Sequence, residues 1–130
     1  MKLYYKIISI IPIFVILTTF SLQAKVVKLT CDPMEGNQLI AVNGKNTSKP
    51  EMLTNKSTIN IDLPNNVIIF NNDTYKIVNA SNNLVSGVFT TENSTSVVSI
   101  RLKTLAVSFS HHVARANEDY VLSVQGKCVN

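Results

Sequence analysis

Short stretches in which apolar and polar residues alternate recur from residue 25 to the end of the chain. The clearest is Thr58–Leu63, which has apolar residues at 59, 61 and 63 and polar residues between them. A period of two is typical of a β-strand with one face on the core and the other in solvent. This and similar patterns predict strands over residues 25–31, 38–42, 58–63, 67–70, from 75 onward, 84–90, 97–103, 105–109 and 120–127.

Residues that favour tight turns separate these strands. Asn43 and Gly44 form a strong two-residue hairpin signal, and Pro64–Asn66 and Asn71–Asp73 provide two further breaks. Asparagine and aspartate tolerate the left-handed backbone conformation that such turns need. Because turns recur about every eight to twelve residues, the sequence predicts an all-β fold, a small antiparallel barrel or sandwich of about eight or nine short strands.

Two segments lack a clean strand period. Residues 45–55 are polar apart from Met52 and Leu53 and contain Pro50, so we interpret them as a long loop or an irregular edge strand. Residues 112–119 include Ala114 and Ala116, and a helical turn and a loop are both compatible with them. Loops on a rigid β scaffold commonly carry binding residues, so these two segments are the predicted binding loops.

The first 24 residues have the layout of a helical secretory signal peptide. Lys2 and Lys6 precede an apolar run over residues 7–22, and the small residue Ala24 follows. The alternative, a permanent anchor, needs roughly 20 apolar residues to cross the bilayer, and this run is shorter. We therefore predict cleavage after Ala24 and a mature domain, residues 25–130, that does not span the membrane.

Composition and charge narrow the class of the mature domain. The full chain has a net charge of +4, from twelve basic and eight acidic residues. Removal of Lys2 and Lys6 leaves ten basic residues against the same eight acids, and these ten are scattered. A nucleic-acid-binding protein concentrates its basic residues on one patch or stripe, so we predict no nucleic-acid partner.

The only two cysteines, Cys31 and Cys128, lie near the two ends of the mature domain. An even number of cysteines in an exported chain favours a disulfide. Each cysteine falls on the apolar side of its own predicted strand. We therefore predict a buried Cys31–Cys128 bridge, with the first and last strands adjacent or facing each other across the core.

The sequence identifies no catalytic, cofactor-binding or metal-ligating residues. His111 and His112 are the only histidines, and adjacent strand residues point to opposite faces, which argues against a shared metal. A histidine base acting with Ser108 or Ser110 is conceivable, but no nucleophile-elbow motif accompanies these serines. We expect neither an enzyme nor a cofactor.

One short segment resembles a known family. Ser86–Phe89 resembles the Ser-Gly loop of the periplasmic inhibitors of C-type lysozyme, which are also small exported β-barrels. The resemblance covers four residues, its aromatic residue is displaced, and the segment falls in a predicted strand. It assigns no family and serves as an example of an inhibitor built on a small barrel.

The function class that fits best is a non-enzymatic binding or inhibitor module, periplasmic or extracellular, monomeric, and directed at an unknown protein or envelope component. The alternative is a structural or surface-assembly subunit that uses an exposed edge strand; a small hydrolase comes third. Heavy use of asparagine, isoleucine and lysine favours a bacterial source. For that reason we expect no glycans on the five Asn-x-Ser/Thr acceptors, at Asn46, Asn55, Asn72, Asn79 and Asn93.

Overall fold

The computed structural model describes residues 26–130, so the predicted signal peptide and its cleavage site lie outside the described residues. The described chain consists of β-strands joined by short turns. The strands are β1 (Val26–Cys31), β2 (Met34–Val42), β3 (Lys45–Leu53), β4 (Ser57–Asp62), β5 (Val67–Phe70), β6 (Asp73–Ala80), β7 (Leu84–Thr90), β8 (Ser94–Arg101), β9 (Ala106–Ala114) and β10 (Glu118–Val129).

Eight of these strands close into an antiparallel barrel. They follow the order β1-β4-β5-β6-β7-β8-β9-β10, and β10 pairs again with β1. The predicted all-β fold is confirmed, and of the two architectures left open the chain adopts the barrel. The remaining strands, β2 and β3, form a hairpin outside the closed wall.

The long strand β10 explains how the hairpin joins the barrel. Residues Glu118–Gln125 of β10 pair with β2, whereas Cys128 and Val129 pair with β1. Strands β1 and β2 therefore lie end to end along the same edge of β10. Asp32 and Pro33 separate them, and proline cannot donate a ladder hydrogen bond, so the chain breaks there and turns from the barrel wall into the hairpin.

The barrel is filled by inward-facing residues of its strands, among them Ile59 and Ile61, which the sequence predicted to face inward. Its aliphatic core residues are fully or almost fully buried, and the two cysteines pack among them. They are Leu29, Met34, Ile59, Ile61, Ile68, Ile77, Val85, Val98, Ile100, Val107, Leu122 and Val124. Small eight-stranded barrels are commonly filled by side chains in this way.

The structure has ten strands, more than the eight or nine predicted. Residues 45–53 form the complete edge strand β3, which pairs with β2 over its whole length. Its side chains are mostly exposed, so no buried face imposes an alternating apolar pattern on the sequence. Of the two interpretations of this segment, the edge strand is correct and the long loop is wrong.

Residues 112–119 contain no helical turn, which corrects one of the two alternatives for that segment. Strand β9 continues to Ala114, β10 begins at Glu118, and a short turn joins them. The backbone N–H of Arg115 donates to the carbonyl oxygen of Glu118 at 2.8 Å. The pairing of β9 with β10 thus outweighs the helical preference of the two alanines.

Candidate functional site

A cavity of about 380 Å³ lies at the end of the barrel where β9 turns into β10. Its lining residues are His111, Val113, Arg115, Glu118 and Tyr120. On β9, His111 and Val113 lie an even number of residues from buried Val107 and therefore share its inward face. On β10, Glu118 and Tyr120 share the inward face of buried Leu122 for the same reason. The cavity therefore lies on the inner face of the wall, and we call it the mouth cup.

A continuous chain of aromatic rings leads from the core to the mouth cup. It contains all three phenylalanines and both tyrosines of residues 26–130, together with His111. Neighbouring ring centroids are separated by 5.7 Å for Phe89 and Tyr75, 6.2 Å for Tyr75 and Phe70, 5.0 Å for Phe70 and Phe109, 6.5 Å for Phe109 and His111, and 6.2 Å for His111 and Tyr120. The aliphatic residues fill the rest of the barrel, so the aromatic surface is concentrated beneath and around the cup.

A buried serine links two of these rings. The Ser96 hydroxyl lies 2.7 Å from Nδ1 of His111 and is also hydrogen-bonded to the phenol of Tyr75. Ser96 is 3 % exposed and Tyr75 is 2 % exposed. Ser96 on β8 and His111 on β9 both face the barrel interior, and they form a polar contact within an otherwise apolar region.

One hydrogen bond joins the Ser96 hydroxyl and Nδ1 of His111, and which of the two atoms donates depends on the tautomer of the imidazole. The contact with Ser96 lowers the pKa of the Tyr75 phenol, as a hydroxyl does when it donates to the phenolate oxygen.

Burial and nearby carboxylates raise the pKa values of both tyrosine phenols in the cluster. Burial raises the pKa of Tyr120, and the carboxylate of Glu51 on β3 raises it further. Burial is also the main cause that raises the pKa of Tyr75; the Ser96 hydrogen bond partly offsets this effect, and the Asp73 carboxylate adds to it. Both effects keep the phenols protonated.

The two histidines lie on opposite faces of β9, as predicted. His111 lines the mouth cup, whereas His112 is exposed and lines a separate depression with Glu92 and other residues of the β7–β8 turn. Ser108 and Ser110 alternate with the inward residues and therefore lie on the other face from His111. The serine that contacts His111 is Ser96, which the sequence did not single out.

The segment Ser86–Phe89 lies inside β7 and is not a loop. The Ser86 hydroxyl is 2.8 Å from the hydroxyl of Ser99 on the neighbouring strand. Gly87 is a close-approach site, because a Cβ there would lie 2.9 Å from Cβ of Tyr75. The segment therefore resembles the inhibitory Ser-Gly loop in its four-residue sequence but not in its structure.

The two predicted binding loops are a strand and a short turn, and of the two only the turn borders the mouth cup, to which it contributes Arg115. The carboxylate of Glu51 on β3 raises the pKa of Tyr120, but no residue of β3 lines the cup. Sequence reasoning missed Tyr75, Ser96 and Tyr120 as site residues. The period of two did place Tyr120 on the same side as Leu122 and Val124, but only the pairing of the strands brings it to His111.

Within residues 26–130, no three His, Cys, Asp or Glu side chains are grouped so that they could hold a metal ion. The same part of the chain contains no helix of the length and apolar character needed to cross a membrane. No protein-family model, curated protein or solved structure matches the chain. The mouth cup is therefore assessed from its own geometry and chemistry.

Proposed function

We propose that the mature chain is a non-enzymatic binding module of an exported protein and that its ligand site is the mouth cup. The observation that carries the proposal is the chain of aromatic rings that ends at the cup. Binding sites are typically concave, lined by apolar and aromatic side chains and equipped with a few polar groups. The cup combines Tyr120 and His111 with one carboxylate, from Glu118, and one guanidinium, from Arg115.

The scaffold beneath the cup supports a binding role. The Cys31–Cys128 disulfide joins the first and last strands of the barrel, and the interior below the cup is closely packed. A rigid wall holds its lining side chains in fixed positions, which lowers the entropy lost when a ligand binds. The Ser96 hydrogen bond adds to this preorganisation because it fixes the orientation of the His111 ring.

The burial of Ser96 favours a binding module over a hydrolase. A serine within hydrogen-bond distance of a histidine is the basic arrangement of nucleophilic catalysis. Ser96, however, is 3 % exposed and is hydrogen-bonded on two sides, to His111 and to Tyr75. A substrate carbonyl would have to displace the aromatic wall to reach this hydroxyl.

The disulfide also supports export, since it is compatible with an exported protein. Disulfides persist in oxidising compartments such as the periplasm and the extracellular space. Together with the predicted cleavage after Ala24, it supports a location in the periplasm or outside the cell. A bacterial envelope component or an unidentified protein is the proposed source of the ligand.

Capture from cell-envelope extract with matched variants tests the proposal. The purified mature domain, residues 25–130, is immobilised as wild type, His111→Gln and His112→Gln, and the bound molecules are identified by mass spectrometry. We expect a ligand that the wild type and His112→Gln retain and His111→Gln loses, because only His111 lines the cup. Equal capture by all three proteins would contradict a ligand site at the cup.

A second candidate function, a surface-assembly subunit, is favoured by one observation. Strand β3 pairs with β2 alone among the described strands, so its other edge is open. Asn43 and Gly44 have positive φ values of 49° and 77°, as in a two-residue primed turn, which makes Val42 and Lys45 a hydrogen-bonded pair. By alternation, the backbone groups that face the open edge belong to Asn46, Ser48, Pro50 and Met52.

Pro50 weakens this second candidate. It has no N–H to donate and interrupts the open edge near its middle. Lysines and prolines on edge strands are common protection against edge-to-edge pairing, and β3 also carries Lys45 and Lys49. Sedimentation of the mature domain over a wide concentration range decides between the candidates: a binding module stays monomeric, whereas an assembly subunit forms concentration-dependent oligomers.

A further inference from the structure

The floor and the middle of the mouth cup are formed by two facing residue pairs of β9 and β10. His111 pairs with buried Leu122, and Val113 pairs with Tyr120 two residues further along the strands. Residues that face each other in an antiparallel ladder place their side chains on the same face of the sheet. The inner part of the cup is therefore lined by the rings of His111 and Tyr120 and by the aliphatic side chain of Val113.

The rim of the mouth cup carries its two charged side chains. Asp119 pairs with Ala114, and the backbone N–H of Arg115 donates to the carbonyl oxygen of Glu118 at 2.8 Å. Arg115 and Glu118 therefore face each other across the β9–β10 turn, where facing residues have Cβ atoms about 5 Å apart. Both side chains line the cavity, so one positive and one negative group lie side by side at its outer end.

The balance of charge at the rim disfavours a ligand that has a single charge. A carboxylate alone would bind the guanidinium of Arg115 but would lie beside the carboxylate of Glu118. An ammonium group alone would meet the reverse arrangement. A neutral apolar ligand would take both side chains partly out of water without compensation, whereas a ligand with one charge of each sign satisfies both.

Arg115 and Glu118 can also pair with each other, but this does not close the site to a ligand. Arg115 is exposed and Glu118 is partly exposed, and exposed ion pairs contribute little free energy. A zwitterion replaces this one pair with two. Its carboxylate can accept two parallel N–H···O bonds from the guanidinium, and its ammonium group can donate to the carboxylate of Glu118.

We infer that the mouth cup binds a free α-amino acid with an apolar side chain. Its carboxylate binds Arg115, its ammonium group binds Glu118, and its side chain packs against Val113 and the ring of Tyr120. An amino acid within a protein chain lacks this pair of charges, so the occupant is a small molecule. The volume of about 380 Å³ lies within the range of small-molecule sites, about 300–1,000 Å³. This inference rests on the proposed function, which makes the cup the ligand site, and it narrows the ligand to a small molecule of the cell envelope.

Titration of the mature domain with four probes, followed by NMR shifts of the His111 and Tyr120 rings, tests the inference. The first probe is L-phenylalanine. The others each lack one of its parts: 2-phenylethylamine lacks the carboxylate, 3-phenylpropanoate lacks the ammonium group, and glycine lacks the side chain. We expect L-phenylalanine to bind at least about tenfold more tightly than each of the other three, because each of them loses one charge-assisted or apolar contact.

Two variants assign the charges. Glu118→Gln should weaken the binding of L-phenylalanine about tenfold and leave 3-phenylpropanoate bound at least as tightly as by the wild type, because only the ammonium group loses its partner. Arg115→Gln should weaken L-phenylalanine similarly and leave 2-phenylethylamine bound at least as tightly. A variant that only disturbed the shape of the cup would weaken every probe alike. Glu92→Gln in the β7–β8 turn and Arg101→Gln at the far end of β8 remove exposed charges of the same two signs and serve as controls with unchanged binding.

Binding of 2-phenylethylamine, 3-phenylpropanoate or glycine as tightly as L-phenylalanine would overturn the inference. Each of these results would still show a ligand in the cup and would leave the proposed function intact. If no probe shifts the rings of His111 and Tyr120, the amino-acid inference also fails. The His111→Gln capture experiment then decides separately whether the cup is a ligand site.

Discussion

Cys31 and Cys128 lie directly opposite each other on β1 and β10, with Cα atoms 3.8 Å apart, and their disulfide is at the seam where the barrel closes. Thr30 and Val129 form the other residue pair in the register between these strands. Both half-cystines are buried, at 0 % and 1 % exposure. The bridge therefore reinforces the shortest strand pairing of the barrel wall.

Replacement of both cysteines, as Cys31→Ala with Cys128→Ala, should lower the free energy of unfolding by about 3–5 kcal/mol. The bridge closes a loop of 97 residues, and the chain-entropy model gives about 4.7 kcal/mol for a loop of roughly 100 residues. Urea unfolding followed by circular dichroism measures the change. Wild type in reductant should match the double variant, and a loss below about 1 kcal/mol in both would show that backbone pairing alone holds the seam.

The pairing of the cysteines was predictable because it depends on local parity. Cys31 shares a face with Leu29, and Cys128 shares one with Val124, so both had to enter the same core. The aromatic cluster was not predictable in this way. Phe70 and Phe109 come from β5 and β9, and their contact requires the barrel to close and its interior to be filled. Strand periodicity gives the face of each residue but not its neighbours across the core.

The same distinction applies to the candidate site. The sequence placed His111 and His112 on opposite faces, which is correct, but it paired the histidines only with serines nearby in the chain. Ser96 is fifteen residues away along the chain and lies directly opposite His111 in the β8–β9 register. Strand β3 was ambiguous because its side chains are mostly exposed.

Tyr75→Phe should make the protein less sensitive to alkaline pH. The folded pKa of Tyr75 is raised, chiefly by burial, above the unfolded value near 10. Above about pH 10 the unfolded state therefore binds fewer protons than the folded state, and stability falls as pH rises. The contribution is fully present below the unfolded pKa and is lost as pH rises through the folded pKa.

At pH 8 the Tyr75→Phe variant should be less stable by about 1 kcal/mol, because the hydrogen bond to Ser96 is lost. Above about pH 10 this difference should shrink, since the variant lacks the buried phenol whose protonation favours the folded state. Urea unfolding at several pH values measures both effects. A stability difference that stays constant from pH 8 to 11 would contradict the assignment of the alkaline effect to Tyr75.

Gly36→Ala should release the β2–β3 hairpin from the barrel. A Cβ at residue 36 would collide with the carbonyl oxygen of Ser123 on β10, so the two strands have to separate. The barrel wall closes separately through β1 and β10, and it should persist. Hydrogen exchange should show lost protection in β2 while β7 and β8 stay protected.

Gly44→Ala is the matched control for this prediction. Gly44 has a φ of +77° and no neighbouring atom within 4 Å of the added Cβ. The substitution therefore costs only the backbone preference, about 1 kcal/mol, and the hairpin should stay docked. If Gly36→Ala retains wild-type protection in β2, the close approach of β2 and β10 does not depend on this glycine.

Pro50→Thr should increase self-association of the protein through the open edge of β3. Pro50 is paired with Asn37, and by alternation its backbone nitrogen faces the open edge. Threonine supplies the missing N–H and a strong strand preference, so a second copy of the chain gains a nearly continuous row of backbone groups to pair with. Since each backbone hydrogen bond contributes about 1 kcal/mol net, the dimer dissociation constant should fall by roughly tenfold.

Sedimentation equilibrium measures this dissociation constant, with Ser48→Thr as the control that raises strand preference without restoring a donor. Self-association of both variants would attribute the effect to strand preference, whereas association of Pro50→Thr alone would identify the proline as the residue that limits pairing at this edge.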